Sequence, residues 1–295
     1  MRLTLALLAS LRPRQWVKNL FVFAGVIFSQ QLLTPRVWPA LAAFAIFCGL
    51  SGAIYLFNDV ADADKDRLHP SKRRRPVASG ALPIGAAIAF GILLLAGCLA
   101  AAFRLSPAFG LVALAYGALL TAYSVWLKHL VILDVLTVAT GFVLRAVAGA
   151  VAVDVEISGW LLICTILIAL FLALGKRRHE YRSLTGDAAA HRPILAEYSE
   201  GFLDQMISVV TASTVTTYAL YTMSPETVAK FHTRLLPLTL PFVLYGIFRY
   251  LYLLYRRDLG GNPSDLLVTD RGLLLDALLW MVTTLAIIYG PQWTG

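Results

Sequence analysis

Nine apolar stretches recur along this chain, near residues 20–33, 37–57, 83–103, 107–126, 131–151, 158–175, 202–224, 235–255 and 272–290, and they leave it few ways to fold. Inside hydrocarbon no water is present to satisfy backbone N–H and C=O groups, and a helix satisfies both from within. At about 1.5 Å per residue, a run of about 20 residues crosses the roughly 30 Å of hydrocarbon in a bilayer. Most of the nine are that long; the first is short, and Pro35 leaves its end ambiguous. A 59% hydrophobic composition is rare for a soluble domain and agrees with this reading. The fold class expected is therefore all-α: a polytopic membrane protein of about nine transmembrane helices, forming one domain over residues 1–295. The N-terminus runs into basic residues without a small-residue cleavage site, so a cleavable signal peptide is not expected.

Charge is distributed unevenly between the segments joining these runs. Nineteen of the 25 Lys and Arg residues lie in the N-terminus and in the loops after the second, fourth, sixth and eighth runs. Four lie on the opposite side, and Arg145 and Arg249 fall within runs. By the positive-inside rule the N-terminus and the charged loops are cytoplasmic, and nine spans place the C-terminus outside. The net charge of +8 then reflects topology, and no nucleic-acid partner is expected. The recurrence also suggests two four-helix halves with a ninth helix appended. Cys48, Cys98 and Cys164 each lie in an apolar run and read as small buried hydrophobes.

Chemistry concentrates in the stretch from Asn58 to Gly80, NDVADADKDRLHPSKRRRPVASG. It holds Asp59, Asp62, Asp64 and Asp66, then Lys65, Arg67, Lys72, Arg73, Arg74 and Arg75. If the preceding helix continues into it, Asp59, Asp62 and Asp66 share a face, because residues three and four apart are neighbours; Asp64 points elsewhere. Three carboxylates on one face repel unless a cation lies between them. An all-oxygen donor set with room for phosphate oxygens suits Mg2+ serving a diphosphate. The basic run that follows, Lys72 and Arg75 included, can hold the remaining phosphate charge. The plain alternative is a solvated loop whose charges only fix topology.

Four further groups carry candidate roles. Tyr123, Lys128 and Asp134 flank the loop after the fourth run; Lys128 is a point-charge partner for phosphate, or a snorkelling lysine beside an interfacial tyrosine. Lys176, Arg177, Arg178 and Glu180 emerge from the sixth run as a second phosphate clamp, or as a positive-inside stop signal. Arg145 and Arg249 are costly in hydrocarbon, so each should face a cavity or a carboxylate, unless Arg249 snorkels from its helix end. Asp265 and Asp270 stand where they can cap the last helix or meet substrate. The five histidines are scattered and form no ligand set.

These residues also carry a family likeness. Asn58-Asp59-x-x-Asp62-x-x-x-Asp66 with Arg75-Pro76 resembles the first aspartate-rich motif of the UbiA superfamily of intramembrane prenyltransferases. Tyr123 with Lys128 resembles the superfamily's tyrosine–lysine element. Within the superfamily the chain is most similar to a phosphoribosyl-transferring branch. That narrower match rests on Arg12-Pro13-Arg14-Gln15-Trp16-Val17-Lys18-Asn19, on Asp66-Arg67-x-His69-Pro70-x-Lys72-Arg73-x-Arg75-Pro76, on Gly175-Lys176-Arg177-x-x-Glu180 and on Asp270-Arg271. One departure stands out. The superfamily's usual second aspartate motif, after the sixth run, is replaced here by Lys176, Arg177, Arg178 and Glu180.

The resemblance implies a helical bundle with a cytoplasm-facing polar cavity in the plasma membrane. It implies transfer of 5-phosphoribosyl from phosphoribosyl diphosphate to a polyprenyl phosphate of decaprenyl type, with Mg2+ as cofactor, for lipid-linked pentose and cell-envelope arabinan. Asp59, Asp62 and Asp66 would hold metal, with Lys128 beside them in catalysis. Lys18, Asn58, Lys72, Arg75, Tyr123, Arg145, Lys176, Arg177, Glu180, Arg249 and Asp270 would contact substrates. A homo-oligomer is compatible with the sequence. Two alternatives remain: prenyl transfer from a prenyl diphosphate to an aromatic or other acceptor, and a non-catalytic lipid-binding or transport protein.

Overall fold

The structure, a computed structural model, describes residues 3–68, 72–183 and 193–293; His69, Pro70, His191 and Arg192 lie outside the described residues. Every regular element among the described residues is helical. Seven helices are long and apolar enough to cross a bilayer: Val37–Ala61, Ile84–Leu105, Pro107–Val125, Leu133–Ala152, Gly159–Ser183, Leu236–Arg256 and Arg271–Gly290. Two of the nine expected spans differ. The helix Glu200–Met223 has the length, with 24 residues, but its Thr-, Ser- and acid-bearing sequence keeps it outside that set. The stretch near 20–33 is not one α-helix. It is a 3-10 helix over Pro13–Phe23 followed by the short helix Ala24–Phe28.

Two span boundaries also move. The helix expected to end at residue 57 runs to Ala61, so Asn58 and Asp59 are helical. The helix expected to end at residue 175 runs to Ser183, so Lys176, Arg177, Arg178 and Glu180 lie on two extra turns and not in a loop. Lys, Arg and Glu are good helix formers, and their i, i+3 and i, i+4 spacing lets them pair along the helix.

The chain divides into two compact units, Met1–Trp126 with Leu144–Glu156, and Leu127–Val143 with Ile157–Gly295. The first unit is built on Val37–Ala61, packed against Ile84–Leu105 and the 3-10 segment. Its core gathers Phe47, Leu50, Phe109, Ala113 and Tyr116. Phe47 lies 5.9 Å from Phe109 and 4.9 Å from Tyr116, ring centre to ring centre. Small residues set one crossing. A Cβ on Gly149 would fall 1.8 Å from the Val22 carbonyl oxygen, and one on Gly25 would fall 2.6 Å from the Ala150 nitrogen. With Ala146, Ala148 and Ala150 beside them, these glycines let two backbones approach closely, as small residues do between membrane helices. That approach brings the 3-10 segment to Arg145.

The second unit pairs Gly159–Ser183 with Glu200–Met223, and Leu240–Arg256 with Arg271–Trp293. Phe171, Leu174, Leu203, Ile207, Tyr250 and Leu254 are in its core. Serine caps start its polar-ended helices: Ser199 accepts from the Phe202 amide at 3.2 Å and Ser224 from the Thr227 amide at 3.2 Å.

Candidate active site

In the first unit the aspartate motif spans a helix break. The long helix ends at Ala61, Asp62 occupies its C-cap, and a short helix over Ala63–Leu68 follows. The Asp62 amide bonds the Asn58 carbonyl and the Asp66 amide bonds the Asp62 carbonyl, so helical spacing persists through the break. Asp59 and Asp66 are buried, at 2% and 3% exposure, and Asp62 and Asn58 are half-buried. Asp64 points into solvent and pairs with Arg67 at 2.6 Å.

Two buried carboxylates need compensating charge, and two arginines supply it. Arg75 Nη1 donates to Asp66 Oδ2 at 2.6 Å and to Asp59 Oδ1 at 3.2 Å. Arg12, from the N-terminal segment, donates to the same Asp59 oxygen, and its guanidinium stacks on Tyr55 at 4.6 Å. Among the described residues no three Asp, Glu, His or Cys side chains are grouped tightly enough to hold a metal ion. The donor chemistry nonetheless fits a hard divalent cation. Asp59 Oδ2, Asp66 Oδ1 and both Asp62 side-chain oxygens accept no hydrogen bond from the described residues, and all are carboxylate oxygens. Arg75 donates to both Asp59 and Asp66 and ties the two carboxylates together.

Arg145 sits on the helix Leu133–Ala152 and is 6% exposed. Its Nε donates to Asn19 Oδ1 at 2.8 Å and its Nη2 to Tyr116 Oη at 2.5 Å. Tyr116 in turn bonds Ser51 at 3.1 Å, and Asn19 Nδ2 donates to Cys48 Sγ at 3.2 Å. This is a polar network inside the first unit, distinct from the aspartate cluster in its partners. Lys18 lies on the 3-10 segment, Lys72 on the exposed 3-10 turn Lys72–Arg74 and Tyr123 on the helix Pro107–Val125.

In the second unit the expected cationic clamp is two arginine–carboxylate clusters. Arg177 is 3% exposed; its Nε donates to Asp134 Oδ2 at 2.5 Å and its Nη1 to Glu180 Oε2 at 2.6 Å. Asp134 is fully buried and also accepts from Tyr198 Oη at 2.8 Å. Burial beside this carboxylate raises the pKa of the Tyr198 hydroxyl well above its ordinary value, so it stays a donor. Lys176 lies 3.7 Å from Glu180 and is half exposed. Arg178 is held separately, by Asp204 at 2.6 Å and Glu200 at 2.8 Å, with its guanidinium 3.9 Å from the Tyr255 ring centre. Lys128, on the 3-10 turn Leu127–His129, makes no hydrogen bond or ion pair among the described residues.

Arg249 faces a carboxylate. It grips Asp270 through Nε at 3.2 Å and Nη2 at 2.8 Å. Asp270 Oδ1 also accepts from the Leu273 amide at 2.9 Å, so it caps the last helix. The Arg249 hydrogen bond, more than its other neighbours, holds the Asp270 carboxyl below its ordinary pKa. Nothing in the sequence singles out Tyr116, Tyr198 or Asp204, and Asn19 figures only as the end of the Arg12–Asn19 motif. Asp134 gives a signal, a carboxylate opening an apolar run, and Arg12 gives one in the basic segment before Pro13.

Membrane-length helices, a buried carboxylate cluster ending one of them and arginine–carboxylate clusters at the end of another describe an intramembrane enzyme class. The chain belongs to the UbiA prenyltransferase family, whose profile matches residues 19–265. A solved UbiA homolog from Archaeoglobus fulgidus, bound to GPP and Mg2+, has a TM-score of 0.74 at 21% identity, covering 96% of this chain and 99% of its own. A digeranylgeranylglyceryl phosphate synthase structure has a TM-score of 0.64 at 16% identity, over 98% and 96% of the two chains. At such identities the likeness is one of fold. Within the family, decaprenyl-phosphate phosphoribosyltransferase of Mycolicibacterium smegmatis is 30% identical over 96% of this chain and 92% of its own length. Its counterpart in Mycobacterium tuberculosis is 32% identical over 95% and 93%. That of Corynebacterium glutamicum is 32% identical over 96% and 86%.

Proposed function

We propose that this chain transfers the 5-phosphoribosyl group of phosphoribosyl diphosphate to the phosphate of a polyprenyl phosphate and releases diphosphate. The observation that carries the reading is near-full-length similarity, 30–32% identity, to relatives named for transfer to decaprenyl phosphate. Lys176, half exposed on the helix end where the resemblance would put a second aspartate motif, supports it, because a cation suits a donor rich in phosphate.

The C1–O bond of the donor breaks, and a lipid phosphate oxygen forms the new bond to C1. The acceptor is already an anion, so no side chain need remove a proton. Catalysis is then positioning and charge stabilisation. Asp59, Asp62 and Asp66 are the residues that would hold Mg2+, which when bound supplies charge to offset that gathering on the leaving diphosphate. Lys72 in the first unit, and Lys128 and Lys176 in the second, would take phosphate oxygens, while Arg75 would orient Asp59 and Asp66. The chain lies in the plasma membrane with its N-terminus and its charged segments cytoplasmic, as the distribution of Lys and Arg supports.

The test is purified protein in detergent with Mg2+, radiolabelled phosphoribosyl diphosphate and a polyprenyl phosphate. Chelator-sensitive label in the organic phase is the expected result. No label, with turnover of a prenyl diphosphate and an aromatic acceptor instead, would overturn the reading in favour of prenyl transfer.

A further inference from the structure

Resting on that reading, we propose that Tyr55 binds the acceptor: its hydroxyl donates to a phosphate oxygen of the polyprenyl phosphate and holds that phosphate on the bilayer side of the aspartate cluster.

Ser51, Tyr55 and Asp59 follow one another at four-residue intervals on the helix Val37–Ala61, so they share one face. Asp59, near the helix end, belongs to the arginine–carboxylate cluster. Ser51, two turns farther into the span, bonds Tyr116 at 3.1 Å, and Tyr116 accepts from Arg145 at 2.5 Å. Both ends of this face are therefore bonded within the protein. Tyr55, between them, is not. Its hydroxyl makes no hydrogen bond among the described residues, although Tyr116, Arg145 and Arg12 are its electrostatic neighbours. A tyrosine hydroxyl inside a protein ordinarily finds a partner. Here the neighbours on its inner side are engaged elsewhere, Arg145 with Asn19 and Tyr116, and Tyr116 with Ser51. Tyr55 is half-buried, so a ligand can reach it.

The ring is held although the hydroxyl is not. The Arg12 guanidinium lies 4.6 Å from its centre. A Cβ on Gly52 would fall 2.7 Å from Leu11 Cδ2, so this glycine lets the N-terminal segment close over the helix beside Tyr55. A donor fixed in advance loses little entropy when a ligand arrives.

Position selects the acceptor over the donor. Tyr55 lies one helical turn, about 6 Å, farther into the span than Asp59. The donor is polar throughout and comes to the aspartates from water. The acceptor's phosphate is tethered to a prenyl tail in hydrocarbon, so it approaches from within the span. With the diphosphate at the aspartates, the attacking oxygen comes to C1 from the side away from it, and a hydroxyl one turn deeper is on that side. The positive charge of Arg145 nearby favours an anion there over the neutral alcohol of a polyprenol.

The experiment measures binding of radiolabelled decaprenyl phosphate, and of decaprenol as its neutral counterpart, to purified protein in detergent without phosphoribosyl diphosphate. The parent is expected to bind the phosphate more tightly than the alcohol. Tyr55→Phe keeps the ring under Arg12 and removes only the hydroxyl. It is expected to bind the phosphate about tenfold more weakly, the value of one hydrogen bond to a charged group, and the alcohol as the parent does. In the transfer assay its KM for the polyprenyl phosphate should rise about tenfold, with that for phosphoribosyl diphosphate unchanged. Because no bond within the protein is lost, Tyr55→Phe should melt with the parent; Tyr55→Met, apolar and unbranched, stands in should it fail to fold. A parent that binds the phosphate no more tightly than the alcohol overturns the proposal, and so does a folded variant with unchanged phosphate binding. Equal weakening toward phosphate and alcohol also overturns it, since that marks a structural role. A raised KM for the donor alone overturns the assignment to the acceptor. The binding measurement contains no donor and needs no turnover, so its result stands apart from the labelled-donor assay that tests phosphoribosyl transfer itself.

Discussion

Replacing Asp134 with leucine should destabilise the second unit severely. Asp134 is fully buried, and Arg177, which it holds at 2.5 Å, has 4% of its side chain exposed. Removing one partner of such a pair strands the other charge, at a cost of about 3–5 kcal/mol. Two details place the effect near the lower end. Glu180, 22% exposed, stays on Arg177 Nη1 at 2.6 Å and keeps part of the compensation. Tyr198 loses its acceptor but still accepts from the Ile132 amide at 2.9 Å, so stranding its hydroxyl proton adds about 1 kcal/mol. Leucine is close to aspartate in shape, so no large cavity opens. A loss of about 3–4 kcal/mol lowers the melting midpoint of a chain of this size by roughly 6–12 °C. The assay is thermal unfolding in detergent, followed by tryptophan fluorescence. Asp134→Leu with Arg177→Met removes both charges and should recover all but about 1 kcal/mol of the loss. A single variant within about 1 °C of the parent, or a double variant as unstable as the single, would refute the assignment of a buried, charge-balanced pair.

Asp62→Ala should abolish transfer while leaving the melting midpoint unchanged, because no described residue bonds its carboxylate; a parent-like rate would remove Asp62 from the metal set. Lys128→Ala should also melt within about 0.5 kcal/mol of the parent, having lost no partner among the described residues, yet raise the KM of donor or acceptor about tenfold; unchanged kinetics would leave Lys128 a topology residue. Asp270 has a pKa lowered from 3.8 by Arg249, so the pair adds stability above that ordinary value and loses it as pH falls through the depressed one. Melting midpoints of parent and Asp270→Asn should therefore be separated at pH 6 and converge below about pH 4; a constant gap would show that capping alone matters.

Much of the site was legible as residue types and little of it as partnerships. The carboxylates, the cations and their positions at ends of apolar runs can all be read in order along the chain. Their pairing cannot. Arg145 reads as an arginine exiled in hydrocarbon, and the structure bonds it to Asn19 and Tyr116, 126 and 29 residues away. Arg177 and Arg178 read as a phosphate clamp, and the structure gives one to Asp134 and the other to Asp204. Arg249 reads as a cation that faces a carboxylate or snorkels, and the fold delivers Asp270 to it.

The sequence by itself determined that the chain is helical and crosses a membrane. That follows from local facts: the length of each apolar run and the need of a backbone in hydrocarbon to bond within itself. It also determined the spacing that places Asp59, Asp62 and Asp66 along one helical face, since helical period is local. Only the tertiary structure decided which charges neutralise which. A buried charge is satisfied by whatever opposite group arrives within hydrogen-bonding distance, and that depends on helix crossings. One such crossing is the approach of Gly149 to Val22, which brings the 3-10 segment beside the helix of Arg145.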